Sequence, residues 1–253
     1  MGKWILWLGS MLFWLPAWSQ SDKIAVGAYA EGHLGFILNQ NNYGGNELGY
    51  RVYPLPGAGI RLAYPLDDRH RLEAGIGYHG AGQKYHDFID NQDIDKTISL
   101  YYVQLPVFWK ECLSGINKWD GNTHQTYWYR SFGLIFNALA KGNIDWSIAG
   151  SPVNMLEFVN ENGTNPHSSV LNARGNPESY TTLFNAFDIS LAAGGGMDYY
   201  FNEQWHLSVE MVLQFGLLDI NAKPWRLANR NGKYGPSHQT SIGLQLGLWY
   251  NLD

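Results

Sequence analysis

The last stretch of the chain, residues 240–253, alternates almost without error. Ile242, Leu244, Leu246, Leu248, Tyr250 and Leu252 fall on one face of an extended strand, and Ser241, Gly243, Gln245, Gly247, Trp249 and Asn251 on the other. Successive side chains of a strand point to opposite faces, so one face is wholly apolar and the other small or polar. A soluble barrel would turn the apolar face inward, whereas a membrane barrel turns it toward lipid.

Seven earlier segments repeat the pattern, at about residues 23–38, 57–66, 71–83, 97–110, 127–139, 187–201 and 205–218. Each has one clean apolar face: Val26, Ala28, Leu34 and Phe36 in the first, Ile60 and Leu62 in the second, Val103, Leu105 and Val107 in the fourth. The segments cover the ~9–11 residues that cross a bilayer at a tilt. A Lys or Arg aimed at mid-bilayer lipid costs about 2–4 kcal/mol, so a lipid-facing register should be nearly free of them. Only Arg130 interrupts it, beside Tyr127 and Trp128, where a long side chain can snorkel to the headgroups. The expected fold is therefore all-β, an eight-stranded antiparallel up-and-down transmembrane β-barrel.

Connection lengths agree. Residues 67–70 and 202–204 are tight turns, while residues 39–56, 84–96, 141–185 and 221–237 are long and polar. Short and long links alternate, as they do when both termini lie on the periplasmic side. Residues 111–126, with Cys112 and Trp119, form a longer link on the short-turn side. Aromatic residues gather near strand ends, with Tyr64, Trp109, Trp128, Tyr199, Trp205 and Tyr250 at one level and Tyr78, Tyr101 and Phe187 at the other. Amphipathic rings favour headgroup depth.

The amino terminus carries a short basic region, an apolar run from Trp4 to Leu15, and small residues before Gln20. That is the layout of a secretory signal peptide over residues 1–19, leaving residues 20–253 as one barrel domain. No apolar run is long enough for a membrane helix. Charged residues make up 15 % of the chain, below the ~25 % of an ordinary soluble domain. A formal charge of −5 gives no basic footprint for nucleic acid. The single Cys112 excludes an internal disulfide.

Two resemblances follow from these residues. Gln245, Gly247, Leu248, Tyr250 and Leu252 resemble the C-terminal insertion signal recognised by the barrel-assembly machinery of outer membranes. The run Tyr102-Val103-Gln104-Leu105-Pro106-Val107 resembles the PorT-like outer-membrane β-barrel family of Bacteroidota. So do Ala192-Ala193-Gly194-Gly195-Gly196-Met197-Asp198-Tyr199, Gln214-Phe215-Gly216-Leu217-Leu218-Asp219-Ile220 and Gly75-Ile76-Gly77-Tyr78. The resemblance implies an outer-membrane barrel, in a family tied in some members to secretion and gliding machinery. The terminal Asp253 departs from the aromatic residue that more often ends such chains.

The inward register holds Glu31, His33, Arg61, Arg71, Glu73, His79, Lys110, Asp198, His206, Glu210 and Gln245. An eight-stranded barrel is only wide enough for side chains to fill it, and buried charges must pair. The expected arrangement is a structural charge cluster of Glu31, Arg61, Glu73, Glu210 and Gln245, with Arg61 salt-bridged to Glu31 and Glu73 on flanking strands and to Glu210 across the lumen. No catalytic, cofactor or metal site is expected. Asp87, Asp90, Asp93 and Asp95 are spaced carboxylates, but they lack the glycine of a calcium loop and read as a solvated acidic link. The rim residues His86, His167, Ser168, Ser169 and His238 form no specific catalytic set, and the sequon at Asn162 is a common chance match. Within the longest loop, the apolar residues 153–159 are expected to cover the barrel mouth or meet a partner.

The expected protein is a non-catalytic envelope scaffold, surface-interaction barrel or secretion accessory in the outer membrane. Its expected partners are outer-membrane lipids, lipopolysaccharide, the assembly machinery and other envelope or secretion proteins. The alternatives are a narrow pore or a lipid-modifying enzyme.

Overall fold

The computed structural model describes residues 23–38, 49–89, 91–113, 125–153, 180–226 and 234–252. The proposed signal segment, the apolar stretch at 154–159, Asp90, Trp119, Asn162, His167, Ser168, Ser169 and Asp253 lie outside them.

Eight long strands form the wall: β1 (Ala25–Leu38), β2 (Tyr53–Pro65), β3 (His70–Ile89), β4 (Gln92–Cys112), β5 (Gln125–Ile148), β6 (Phe187–Tyr200), β7 (Trp205–Gly216) and β8 (His238–Asn251). Each pairs antiparallel with its sequence neighbours, and β8 pairs with β1 over their whole lengths, so the sheet closes into an up-and-down barrel. Two three-residue strands, Gly49–Arg51 and Ser151–Val153, add to β3 and β5 near their outer ends. Among the described residues no helix is long and apolar enough to cross a membrane.

The faces fall as the alternation predicts. Leu244 and Leu246 on β8 are about half exposed, while Gln245 between them is buried. Ile60, Leu105, Leu134, Leu191 and Met211 carry the apolar outer surface around the ring. The outward Arg130 is paired rather than alone, because β4 runs on to Cys112 and sets Glu111 directly opposite it. Arg130 Nη2 lies 2.6 Å from Glu111 Oε2. Cys112 is half-buried at the end of β4.

The two tight turns share one device. Asp67 Oδ1 accepts the backbone N–H groups of Arg69 and His70, both at 2.8 Å. Asn202 Oδ1 does the same for Gln204 and Trp205, at 2.9 and 2.8 Å. An Asx side chain that bonds its own backbone a few residues on fixes a reversal without other help. Both turns lie at the end of the barrel where the β1 start meets the β8 end.

The other end departs from the expected long polar loops. Residues 84–96 are not a loop: β3 and β4 continue as a paired hairpin to Ile89 and Gln92. Its outer half also leaves the barrel wall. The β2–β3 ladder stops at Gly57–His79, and above it Pro54 and Pro56, which lack an N–H to offer a second neighbour, keep β2 paired only with β1. β3 then crosses the inner face of β1, where the Ile37 N–H donates to Gln83 Oε1 at 3.3 Å. Gly82 sits at the crossing with φ +156°, and a Cβ there would lie 2.0 Å from the Ile98 carbonyl oxygen. A β-bulge in the β4–β5 ladder beside Tyr101 and Tyr102 lets the hairpin tilt. The tilted hairpin fills the mouth with an apolar cluster of Ile37, Tyr85, Ile98, Leu100 and Tyr102, joined by Phe184 and Ile220 from the links beyond.

Candidate functional site

Beneath that apolar cap the lumen is packed with charge. Six groups form its centre: Arg61 on β2, Arg71 and Glu73 on β3, Lys110 on β4, Asp198 on β6 and Glu210 on β7. Glu73, Lys110, Asp198 and Glu210 are at most 2 % exposed. Lys110 Nζ lies 2.8 Å from Glu210 Oε2 and 3.1 Å from Glu73 Oε2. Arg71 reaches Asp198 with Nη1 at 2.6 Å and Glu73 with Nε at 2.9 Å. Arg61 Nη1 stands 3.6 Å from Glu73 and 3.8 Å from Glu210. Ser131 Oγ donates to the second oxygen of Glu210 at 2.6 Å. Three cations thus face three carboxylates, the balance a low-dielectric interior demands.

Rings insulate the cluster. The Arg61 guanidinium lies 4.4 Å from the centre of the Tyr29 ring and 4.8 Å from that of Phe108. Lys110 Nζ sits 4.3 Å from the Tyr129 ring centre. Room for Arg61 comes from its neighbour across the β2–β3 ladder, Gly75, where a Cβ would meet Arg61 Cγ at 2.7 Å and the Ile60 carbonyl at 2.1 Å. Below the cluster, His206 is stacked between Tyr200 and Trp249, with ring centres 4.4 and 5.8 Å away.

The predicted cluster residues are all inward, but they divide into two groups. Arg61, Glu73 and Glu210 meet as described, together with Arg71, Lys110 and Asp198. Those three were legible as inward charges but not as members, because parity shows the face and not the depth. Glu31 and Gln245 belong to a second group. Glu31 Oε1 is 2.5 Å from His79 Nδ1, and Glu31 Oε2 accepts from Gln245 Nε2 at 3.2 Å. On the C-terminal strand, Gln245 and Gly247 face the lumen, while Leu248, Tyr250 and Leu252 face outward, with the Tyr250 ring 4.9 Å from Trp205.

Asp93 and Asp95 of the acidic link both face His86. Asp95 is 2.9 Å from His86 Nδ1, and Asp93 is 3.6 Å from Nε2 of the same ring. His238, at the other rim, meets the Gly216 carbonyl at 3.0 Å through Nδ1.

No family model matches the chain, and no curated protein matches it. Among solved structures it is similar to the neisserial surface protein NspA, at 11 % identity over 90 % of this chain and 97 % of that one, with a TM-score of 0.45. It is similar to OprG from Pseudomonas aeruginosa at 9 % identity, over 92 % of this chain and 98 % of that one, with a TM-score of 0.42. The attachment invasion locus protein Ail of Yersinia pestis gives 11 % identity, over 91 % and 99 %, with a TM-score of 0.37. At these values the overlap adds nothing to the strand pairing above.

Proposed function

We propose that the chain is an integral outer-membrane β-barrel whose lumen is closed, acting as an envelope scaffold or surface-interaction protein rather than a catalyst. One observation carries this reading: the barrel is inverted relative to a soluble protein. Along the wall Ile60, Leu105, Phe132, Leu191, Leu244 and Leu246 stand outside, while three cations and three carboxylates face the lumen. A continuous apolar wall of this kind would associate in water and is satisfied by lipid. The closed lumen rests on two stacked barriers, the balanced charge cluster and the apolar hairpin cap.

The finer parts of the proposal rest on the sequence. Residues 1–19 direct export, the C-terminal strand is presented to the barrel-assembly machinery, and the tight-turn end with both termini faces the periplasm. The outer links then meet lipopolysaccharide and other envelope proteins, and the PorT-like resemblance favours an accessory role in secretion.

Membrane fractionation followed by mild-detergent gels of boiled and unboiled samples tests the barrel. An outer-membrane band that shifts on boiling is expected, and a soluble protein without a shift would overturn the reading. Planar-bilayer recordings test the closure: a silent bilayer is expected, and stable single-channel steps would replace the scaffold with a narrow pore.

A further inference from the structure

Four neighbouring strands bring Gln245, Glu31, Gly57 and His79 onto a single register row, in the order β8, β1, β2, β3. Gly57 is the gap in that row. A Cβ there would lie 2.2 Å from Glu31 Oε1, so its absence is what allows the Glu31 carboxylate and the His79 imidazole to meet across the intervening strand. His33 stands two residues along β1 on the same face. Its ring stacks on that of His79, with centres 4.0 Å apart and planes within 10°. One ligand atom from each of Glu31, His33 and His79 lies within 4.8 Å of the other two. Among the described residues this is the one such group of three or more.

Two of the three, His33 and Glu31, are also held from behind. The Gly80 carbonyl can only accept, so the His33 Nε2–H donates to it, at 2.5 Å. That leaves His33 Nδ1 facing the cluster. This atom is buried and has no hydrogen-bond partner, and it stands 3.7 Å from Glu31 Oε1. A lone pair and a carboxylate oxygen facing one another in a dry interior repel, unless a cation lies between them. The far oxygen of Glu31 is meanwhile occupied by Gln245. An imidazole that donates its remote N–H to a backbone carbonyl, beside a carboxylate anchored by an amide, is the outer-shell arrangement that orients metal ligands.

We propose that Glu31, His33 and His79 form a binding site for a first-row divalent transition-metal ion, with zinc as the reference ion. The donor set is two imidazole nitrogens and one carboxylate oxygen. Calcium and magnesium prefer all-oxygen shells, whereas imidazole favours zinc, copper and nickel. Zinc binds His nitrogen and carboxylate oxygen at about 2.0–2.1 Å, which sets ligand atoms about 3.3 Å apart in a tetrahedron. Reaching that spacing requires the Glu31–His79 contact to open, the Glu31–His33 contact to close slightly and the two stacked imidazole planes to tilt toward a shared ion, all by side-chain rotation. The remaining position is left for water. The inference rests on lumen geometry and stands whether or not the barrel lies in a membrane.

The test uses the full folded chain in detergent, stripped with chelator and titrated with zinc, cobalt(II) and calcium. One zinc per chain, visible ligand-field bands with cobalt and no calcium binding are expected. His33→Gln, His79→Gln and Glu31→Gln each weaken zinc binding at least tenfold. Gln245→Ala, which removes only the outer partner, weakens it by roughly ten- to a hundredfold. Folding of every variant is checked by the boiling shift. Should a variant misfold, X-ray absorption on the zinc-loaded wild-type protein decides, since two imidazoles are expected in its coordination shell. Absence of stoichiometric zinc binding, zinc binding unchanged in the folded histidine variants, or a shell without two imidazoles would overturn the site.

Discussion

Lys110 on β4 reaches across the barrel to Glu210 on β7, bringing Nζ within 2.8 Å of Oε2 at the centre of the lumen. The two strands are not neighbours in the sheet, so this pair braces opposite walls. It also ties the cluster together, because the same ammonium lies 3.1 Å from Glu73, which in turn faces Arg61 and Arg71.

Replacing that ammonium should therefore cost more than one contact. Lys110→Met leaves Glu73 and Glu210 facing two arginines instead of three cations, and breaking a buried pair from one side typically costs about 3–5 kcal/mol. The double variant Lys110→Met with Glu210→Leu restores the charge balance, since Arg61 and Arg71 then face Glu73 and Asp198. Urea unfolding of the refolded protein should show the double variant losing less stability than Lys110→Met alone. A double variant at the sum of the two single losses would show that the groups do not interact.

A second expectation concerns the cap. Gly82 has φ +156° and no space for a Cβ beside the Ile98 carbonyl. Gly82→Ala should strain this crossing by about 1–3 kcal/mol and lift the β3–β4 hairpin from the mouth, while the wall below keeps its pairing. The measurement is limited proteolysis from the outer side. Cleavage within residues 84–96 should appear in the variant with the boiling shift retained, and equal resistance in both proteins would count against a cap held by this glycine.

The wall was legible because alternation reports faces directly: Leu244 out and Gln245 in follows from period two alone. Pairing register was not legible, since a slip of two residues preserves every face. For this reason Glu31 could be placed in the lumen but not opposite Gly57, with His79 beyond it. The outer hairpin was missed for a different reason. Beyond the apolar band a strand no longer needs one greasy face, so residues 84–96, with Lys84, Asp87, Asp93 and Asp95, carry the composition of a loop while forming a ladder. Its tilt is set by Pro54, Pro56 and Gly82, whose meaning depends on which strand lies beside them.

If the wall faces lipid, depth should govern the cost of a charge on it. Leu244 stands in the middle of β8 and is 52 % exposed, whereas Leu252 lies just past the strand end. Leu244→Arg should cost about 2–4 kcal/mol and Leu252→Arg about 0–1 kcal/mol, read as denaturant midpoints in lipid vesicles. A soluble barrel with an exposed apolar surface would tolerate both alike.

The link after β7 offers a test by pH. Asp219 organises it, accepting from Tyr234 Oη at 2.6 Å, from the Ser237 N–H at 3.0 Å and from Arg226 Nε at 2.8 Å. Partial burial, and then donation to the Asp219 carboxylate, push the Tyr234 hydroxyl up to about 12 from an ordinary 10.0. The folded protein therefore holds this proton more tightly than the unfolded chain does. The associated stability is fully present below pH 10 and is lost as the pH rises through about 12. Tyr234 is only part-buried, so solvent screening keeps the energy small and the titration itself is the better reading. The difference in tyrosinate absorbance between wild type and Tyr234→Phe should show a midpoint near 12. A midpoint at the ordinary value would mean that the Tyr234–Asp219 bond does not persist in solution. Asp219→Ala should lower the midpoint, because the carboxylate that holds the proton is gone and the hydroxyl is left to water.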